Sequence, residues 1–202
     1  MGGSPKRALI VDFGGVLTTS IWPVFAAFGE REGLDPGAVR ELFKSDPQAI
    51  DDLRELETGA CAPDEFERRF ARHLGIPDRA EGLIERLFGG LEPDEAMIGA
   101  VRAVRESGVR TGLISNSWGR TIYDDELIRT LFDAVVISAD VGLHKPQPEI
   151  YLLACERLEV EPGDAVFVDD LRENCAGAEA VGITAVLHRK TAETIAELDR
   201  LL

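Results

Sequence analysis

The chain has 202 residues, enough for one sizeable hydrophobic core or for a core domain that carries a small insert. Hydrophobic residues make up 45% and charged residues 29%, which is ordinary for a globular protein and unlike a fibrous or low-complexity chain. The formal net charge of -15 disfavours nonspecific binding to nucleic acid or to an anionic membrane, so we expect neither as a partner. An anionic substrate would therefore need a local positive site.

The cysteines and the N-terminal residues indicate the cellular compartment in which the protein is expected. Cys61, Cys155 and Cys175 lie far apart and form no CxxC pair, which is typical of reduced thiols in a cytosolic protein. The N-terminal segment has no long apolar run, so we expect no signal peptide, no membrane span and a cytoplasmic location. No feature of the sequence predicts an oligomeric state.

Five short apolar runs predict the strands of one sheet. They are residues 8–13, 109–115, 134–138, 165–169 and 183–187. Most of these runs are continuously apolar rather than alternating, which is typical of strands that are buried on both faces of a parallel sheet. Helical patterns separate the later runs. The sequence therefore predicts an α/β fold with a doubly wound, Rossmann-like sheet.

The stretch after the first strand differs, because it contains helical patterns and no convincing strand. Residues 22–32 have such a pattern, and Asp35–Pro36 is typical of a helix N-cap followed by proline at the first helical position. An apolar face with a spacing of four residues is formed by Phe66, Phe70 and Leu74. These patterns predict a helical insert.

The length of the insert predicts two domains. It is too long for an ordinary connection between a strand and a helix. We expect an α/β core domain of residues 1–19 and 91–202 and a helical cap domain of residues 20–90, placed over the strand ends.

Polar side chains stand at or after the carboxyl ends of the predicted strands. They are Asp12, Ser115, Asn116, Lys145, Asp169 and Asp170. In open α/β sheets, ligands bind outside the carboxyl ends of the strands, so we expect these side chains to converge on one site.

The charges of this set predict a metal. Asp12, Asp169 and Asp170 would repel one another if all three were ionised and close together. A hard divalent cation with oxygen ligands relieves that repulsion, and Mg²⁺ is the expected ion. Lys145 adds a second positive charge, and with Mg²⁺ it could bind an anionic phosphate inside an otherwise acidic protein.

These residues lie in segments that resemble the four motifs of the haloacid dehalogenase-like (HAD) superfamily. The segments are V-D-F-G-G-V-L from residue 11, S-N-S from residue 115, H-K-P-Q-P-E-I-Y from residue 144 and V-D-D-L-R-E-N from residue 168. Their order and spacing agree with the family over nearly the whole chain, and the insert corresponds to the family's helical cap. The segment N-S-W from residue 116 also resembles the phosphatase domain of soluble epoxide hydrolases.

The resemblance implies a hydrolase, in the first place a Mg²⁺-dependent phosphatase that acts on a small organic phosphate. Asp12 would attack the phosphorus and form an aspartyl phosphate. Ser115 and Asn116 would hydrogen-bond the phosphoryl oxygens. Lys145 would neutralise charge and orient Asp12.

The resemblance also implies a metal site and some supporting residues. Asp12, the backbone carbonyl of Gly14 and Asp170 would bind Mg²⁺, and Asp169 would help directly or through water. Asn174 would either support this shell or serve as a helix N-cap. Trp118 would either contact the substrate or pack in the interior.

Basic residues of the insert have two interpretations. Arg68, Arg69 and Arg72 form a basic helical turn. They would either clamp an anionic substrate or form a solvated face with intrahelical ion pairs, and the second interpretation is favoured.

One position departs from the family pattern. Phosphatases of the family carry a second Asp two residues after the nucleophile, where this chain has Gly14. That Asp acts as general acid and base, a contribution worth roughly 10²–10⁴-fold in rate. Three hypotheses compete: a phosphatase with a good leaving group or an acid from the cap, a dehalogenase that attacks carbon, and a member that binds but barely turns over.

Overall fold

The computed structural model describes residues 6–119 and 122–202. The strands are β1 (Ala8–Val11), β2 (Arg110–Ser115), β3 (Ala134–Ile137), β4 (Ala165–Asp169) and β5 (Thr184–Leu187). They form one parallel sheet in the order β3-β2-β1-β4-β5. The predicted fold class is confirmed. The first and third strands end earlier than predicted, at Val11 and Ile137, so that Asp12 lies just beyond its strand.

Each face of the sheet is covered by helices, which explains the continuously apolar strands. In β1, Leu9 and Val11 pack into one hydrophobic cluster while Ala8 and Ile10 pack into another, and all four are fully buried. Complete burial of a side chain such as Leu or Ile stabilises the fold by about 1.5–3 kcal/mol. Helices α6 (Glu95–Glu106), α7 (Asp125–Leu131) and α11 (Thr191–Leu201) contribute to the first cluster, and α9 (Pro148–Leu158) and α10 (Arg172–Ala180) to the second.

The region between β1 and α6 is helical, as predicted, and residues 20–90 contain no strand. Its helices are α1 (Ile21–Glu32), α2 (Ala38–Ser45), α3 (Pro47–Glu57), α4 (Pro63–His73) and α5 (Leu83–Phe88). They share a third hydrophobic cluster, which includes the buried Phe25, Phe66 and Phe70. We call this region the helical insert. The short helix α8 (Ser138–Val141), which follows β3, contacts α3.

The two ends of the insert are joined by backbone hydrogen bonds. The Thr19 N–H donates to the Glu92 carbonyl, and the Asp94 N–H donates to the Leu17 carbonyl, both at 2.8 Å. Thr18 and Pro93 form an antiparallel bridge between the same two segments. The insert therefore leaves and rejoins the sheet at one point. Its division from the rest as a separate domain stays a prediction.

Two local predictions are wrong. The helix expected at Asp35–Pro36 begins at Ala38, and Asp35 instead accepts a hydrogen bond of 2.7 Å from the Gly37 N–H in a turn. The N-cap interpretation of Asn174 is also wrong, because α10 begins at Arg172 and Asn174 lies inside it. In the part of the chain that the structure describes, no helix combines the length and apolarity that a bilayer crossing requires.

Candidate active site

The sheet brings the predicted polar residues to one edge. Because β2, β1 and β4 are neighbours and run parallel, their carboxyl ends lie side by side. The Asp12 N–H continues the ladder by donating to the Val168 carbonyl at 2.9 Å. Asp12 thus lies beside Asp169, the last residue of β4, and carboxylate oxygens of Asp12, Asp169 and Asp170 lie within 4.8 Å of one another.

Lys145 lies at the centre of this cluster. Its ammonium Nζ is 2.6 Å from Asp12 Oδ1 and 2.8 Å from Asp169 Oδ2, and it donates to the Ile114 carbonyl at 3.1 Å. Three acceptors match the three protons of an ammonium group. Burial disfavours the charged form, but the charges of Asp12 and Asp169 outweigh it and keep the pKa of Lys145 above its usual value. Lys145 is therefore a fixed positive charge.

Asp169 is fully buried and satisfied by the protein. Its Oδ1 accepts hydrogen bonds from the Leu171 N–H at 2.8 Å and from Asn174 Nδ2 at 3.0 Å. Its Oδ2 accepts from Lys145, and Asn174 Nδ2 lies 3.0 Å from that oxygen as well. Asn174 is thus a supporting residue inside α10. The arrangement fixes Asp169 as the partner that orients Lys145.

The other two acids are less well compensated. Burial raises the pKa of Asp12 to about 7, with Lys145 opposing the shift and Asp169 reinforcing it. Burial and then the charge of Asp169 raise the pKa of Asp170 to about 6. The ionised forms of Asp12 and Asp170 are therefore unfavourable, and Asp169 lies beside them. A hard cation bound by their oxygens would stabilise the ionised forms. The residues present therefore fit a Mg²⁺ ion.

The loop after Asp12 is shaped around Asp170. Gly15 has φ of +76°, a conformation that favours glycine, and a Cβ there would lie 2.7 Å from Asp170 Oδ2. Gly14 has no positive φ, and a Cβ there would meet its nearest atom, Ile21 Cγ2, at an ordinary 3.6 Å. Position 15 therefore requires glycine, whereas position 14 does not.

Ser115, the last residue of β2, and Asn116 after it lie at the same edge. Ser115 is buried, and its Oγ accepts a hydrogen bond of 2.9 Å from the Tyr123 hydroxyl, so that its own proton can be directed at an anion. Asn116 is tied to the backbone of Lys145: its Oδ1 accepts from the Lys145 N–H at 2.9 Å and its Nδ2 donates to the Lys145 carbonyl at 3.2 Å. Tyr123 was missed by the sequence analysis because no motif marks it.

A cavity of about 230 Å³ opens above this edge, between the sheet and the helical insert. Its polar lining residues include Asp12, Ser115, Asn116, Lys145 and Asp170. The rest of the wall is mostly apolar or aromatic and includes Ile21, Trp22, Phe25, Phe43, Leu53, Phe88, Trp118 and Leu171. A neighbouring cavity of about 500 Å³ is larger but contains none of the clustered acids.

Trp118 takes part in both the cavity and the interior. It lines the cavity and is 8% exposed, and its ring contacts those of Phe25, Phe43 and Phe66 at centroid distances of 5.7–5.8 Å. The packing expectation is therefore met. A role for Trp118 in substrate binding stays a prediction.

The insert contributes one polar residue that the sequence analysis missed. Glu57, the last residue of α3, lines the cavity together with Asp12. The arginines of the insert are not among the residues that line it. Arg68 pairs with Asp64 four residues earlier at 2.9 Å, and Arg69 pairs with Glu65 in the same way, which agrees with a solvated helical face.

Curated proteins of known type have sequences similar to this chain. Pig bifunctional epoxide hydrolase 2 is 27% identical over 217 residues, which cover 96% of this chain and 38% of that protein. The sesquiterpene phosphatase AstK of Aspergillus oryzae is 25% identical over 201 residues, which cover 97% of this chain and 96% of that enzyme. The chain spans less than two fifths of the length of several curated relatives that it matches, the pig protein included.

A solved structure supports the fold. A HAD-family enzyme of Bacteroides thetaiotaomicron, a variant in complex with magnesium and inorganic phosphate, superposes with a TM-score of 0.69 at 19% identity, over 91% of this chain and 94% of that one. Residues 6–182 match the family model of the haloacid dehalogenase-like hydrolases. The predicted similarity to the phosphatase domain of epoxide hydrolases is also confirmed. The chain therefore belongs to the haloacid dehalogenase-like hydrolase family.

Proposed function

We propose that the protein is a Mg²⁺-dependent phosphatase that acts on a small organic phosphate through an aspartyl phosphate on Asp12. The observation that carries the proposal is the buried contact of Lys145 with Asp12 and Asp169, at 2.6 and 2.8 Å, at the floor of the cavity. A fixed ammonium beside a carboxylate orients the nucleophile and offers positive charge to a phosphoryl group.

The chain's own residues supply the chemistry at the phosphorus. Asp12 attacks the phosphorus, and the bond between phosphorus and the leaving oxygen breaks. Water then attacks the aspartyl phosphate, which releases inorganic phosphate and restores the Asp12 carboxylate. Lys145 and the Ser115 hydroxyl stabilise charge on the phosphoryl oxygens. Asn116 fixes the backbone at Lys145 and, as predicted from the family, would assist at the same oxygens.

Asp12, Asp170 and the carbonyl of Gly14 would bind Mg²⁺. Asp169, whose two oxygens already accept hydrogen bonds from Lys145, Asn174 and Leu171, would act through these neighbours or through water. When bound, Mg²⁺ supplies positive charge that polarises the phosphoryl group and favours the ionised acids.

The apolar wall of the cavity supports an organic group as the rest of the substrate. The cavity of about 230 Å³ is small, and its aromatic and aliphatic wall suits an apolar rather than a highly charged group. Phosphatase names among the relatives, AstK included, support the same reaction class. Buried free cysteines support the proposal of a cytoplasmic protein.

A phosphate-release screen over many metabolites tests this function. The protein is assayed with Mg²⁺, with an excess of chelator, and as Asp12→Asn. We expect release from at least one small organic phosphate, lost with chelator and abolished in Asp12→Asn.

Parallel arms distinguish a phosphatase from a dehalogenase and from a binding protein. Release that persists in chelator would contradict the metal role, and release by Asp12→Asn would contradict covalent catalysis. Halide release from a short 2-haloacid without any phosphate release would favour the dehalogenase. No release in either arm, together with tight binding of a ligand, would favour a binding protein.

A further inference from the structure

Glu57 belongs to the insert but is held in place by the α/β core. The Ser138 hydroxyl, at the start of α8, donates a hydrogen bond to the Glu57 carbonyl. Two residues later, Gly59 has φ of +73°, and a Cβ there would lie 2.5 Å from the Ala139 carbonyl oxygen. The turn after α3 is therefore pressed against α8, which fixes the position of Glu57 relative to the sheet.

The Glu57 side chain faces the cavity above Asp12. Its Oε2 accepts a hydrogen bond of 3.3 Å from Asn116 Nδ2, and Asn116 is in turn bound to the backbone of Lys145. Three carboxylic acids line the cavity, namely Asp12, Asp170 and Glu57. Glu57 is the one of these three that comes from the insert.

The surroundings of Glu57 suit proton transfer near neutral pH. Burial raises the pKa of Glu57 to about 7. The positive charges of Lys145 and Arg54 and the hydrogen bond from Asn116 oppose this shift, while the charge of Asp12 reinforces it. A carboxylic acid that titrates near the working pH can both donate and accept a proton during turnover.

The fold does not require the absence of a carboxyl group after Asp12. A Cβ at position 14 would meet Ile21 only at van der Waals distance, and the backbone there needs no positive φ. The glycine at position 14 is thus compatible with an acid that is supplied from elsewhere. Glu57 is a carboxyl group in the same cavity that no other step of the reaction uses.

We propose that Glu57 is the general acid and base of the phosphatase reaction, in place of the carboxyl group that is absent at Gly14. This inference depends on the proposed phosphatase function. In the first step Asp12 forms a bond to phosphorus, the bond to the leaving oxygen breaks, and that oxygen takes the proton of the Glu57 carboxyl group. In the second step the oxygen of a water molecule forms a bond to phosphorus and gives a proton to the Glu57 carboxylate, the bond between Asp12 and phosphorus breaks, and inorganic phosphate leaves.

The variant Glu57→Gln tests the proton transfer and preserves the local contact. The Gln side-chain oxygen can still accept the hydrogen bond from Asn116, but the amide cannot donate an acidic proton. The first step is measured in single-turnover experiments with a primary alkyl phosphate and with para-nitrophenyl phosphate. We expect a loss of roughly 10²–10⁴-fold on the alkyl phosphate, whose leaving oxygen needs a proton, and a loss below roughly 10-fold on the nitrophenyl ester.

The second step gives an independent readout. Without a base, the aspartyl phosphate should accumulate, so Glu57→Gln should release one equivalent of nitrophenol in a burst and then turn over slowly. Glu55→Gln is the matched control, because Glu55 lies on the same helix, is half exposed and pairs with Arg69 outside the cavity. The control should resemble the unchanged protein in both steps.

The double variant Gly14→Asp with Glu57→Gln separates lost chemistry from lost structure. We expect the new carboxyl group to restore at least 10-fold of the activity on the alkyl phosphate. If Glu57→Gln lowers the single-turnover rate equally on both esters, or lowers it on neither, the role of Glu57 is overturned. The phosphatase function fails separately, if the unchanged protein releases no phosphate or if Asp12→Asn still does.

Discussion

The molecule contains two networks of charged side chains that differ in burial. At the edge of the sheet, Lys145 contacts Asp12 and Asp169, and the side chains of these three residues are 1%, 12% and 0% exposed. In the helical insert, Arg69 contacts Asp52 and Glu55, and these side chains are 30%, 11% and 49% exposed. Both networks join one cation to two carboxylates, but Arg69 and Glu55 are in contact with water whereas Lys145 and Asp169 are buried.

The difference separates the groups that we propose to react from the ion pairs of the helical insert. Water screens the ion pairs of Arg69, so forming or losing them changes the free energy of unfolding little. At the sheet edge, burial makes every charge depend on its neighbours, and the pKa values of Asp12 and Asp170 move to about 7 and 6. Glu57 extends the environment of the sheet edge into the insert. Burial of the cation together with its acids, and not the type of residue, therefore distinguishes the proposed site from the network of Arg69.

The largest effect is expected for Lys145→Met. Removal of the ammonium leaves Asp12 and Asp169 buried without their cation, and the loss of one partner from a buried ion pair costs about 3–5 kcal/mol of unfolding free energy. Turnover should fall by roughly 10²–10³-fold. Chemical denaturation and a phosphate-release assay measure both quantities. A variant with unchanged stability and turnover would contradict the assigned role of Lys145.

Gly15→Ala should weaken Mg²⁺ binding by roughly 10–100-fold. The added Cβ would lie 2.7 Å from Asp170 Oδ2 and displace that carboxylate. Gly33→Ala is the matched control, because Gly33 has a similar φ of +74° but no atom within 4 Å of the added Cβ. Titration calorimetry with Mg²⁺ measures both variants. Equal affinities in the two would mean that Asp170 is not a ligand.

The stabilising effect of Mg²⁺ should grow as the pH rises from 5 to 8. Burial raises the pKa of Asp12 to about 7, above its unfolded value of 3.8, so without metal the folded state retains a proton that the unfolded state loses. The contribution of Asp12 to metal-free stability therefore falls as the pH rises through this range. A bound cation favours the ionised acids and offsets that loss.

Thermal unfolding at both pH values, with Mg²⁺ and with chelator, measures this effect. The increase in melting temperature caused by Mg²⁺ should be larger at pH 8 than at pH 5. Asp12→Asn should reduce the difference between the two pH values. An increase that does not depend on pH would speak against ionised carboxylates as the ligands.

The smallest effect is expected for Arg69→Met. Its partners Glu55 and Glu65 are about half exposed, and the buried Asp52 keeps His73 as a second partner at 2.9 Å. The variant should therefore lose less stability than any of those above and keep its turnover. Thermal unfolding at low and high salt checks this, since screening should further reduce the difference. A fall in turnover like that of Lys145→Met would erase the contrast between the two networks.

The sequence predicted the sheet and the polar residues at its edge because both depend on local patterns. Continuous apolar runs mark strands that are buried on both faces, and each of Asp12, Ser115 and Asp169 stands at a strand end. The position of Glu57 could not be predicted in this way. It depends on how the end of α3 packs against α8, and no local pattern encodes that contact.

Two Asp–Pro pairs show how far local helix signals go. Asp46 precedes Pro47 and is a true N-cap, since its Oδ1 accepts from the Gln48 and Ala49 N–H groups. Asp35 precedes Pro36 in the same way but forms a turn, and its helix starts only after Gly37. Glycine is a poor helix former, which explains the later start. In these two pairs the difference coincides with the residue after proline, which is Gly37 in the turn and Gln48 in the helix.

The most direct measurement is the trapping of a phosphorylated Asp12 during turnover. The protein is acid-quenched with a substrate and Mg²⁺, the acyl phosphate is reduced with borohydride, and the peptide that contains Asp12 is analysed by mass spectrometry. We expect homoserine at position 12, absent when chelator replaces Mg²⁺. Rapid phosphate release with an unmodified Asp12 at every quench time, in Glu57→Gln as well, would contradict a covalent role for Asp12.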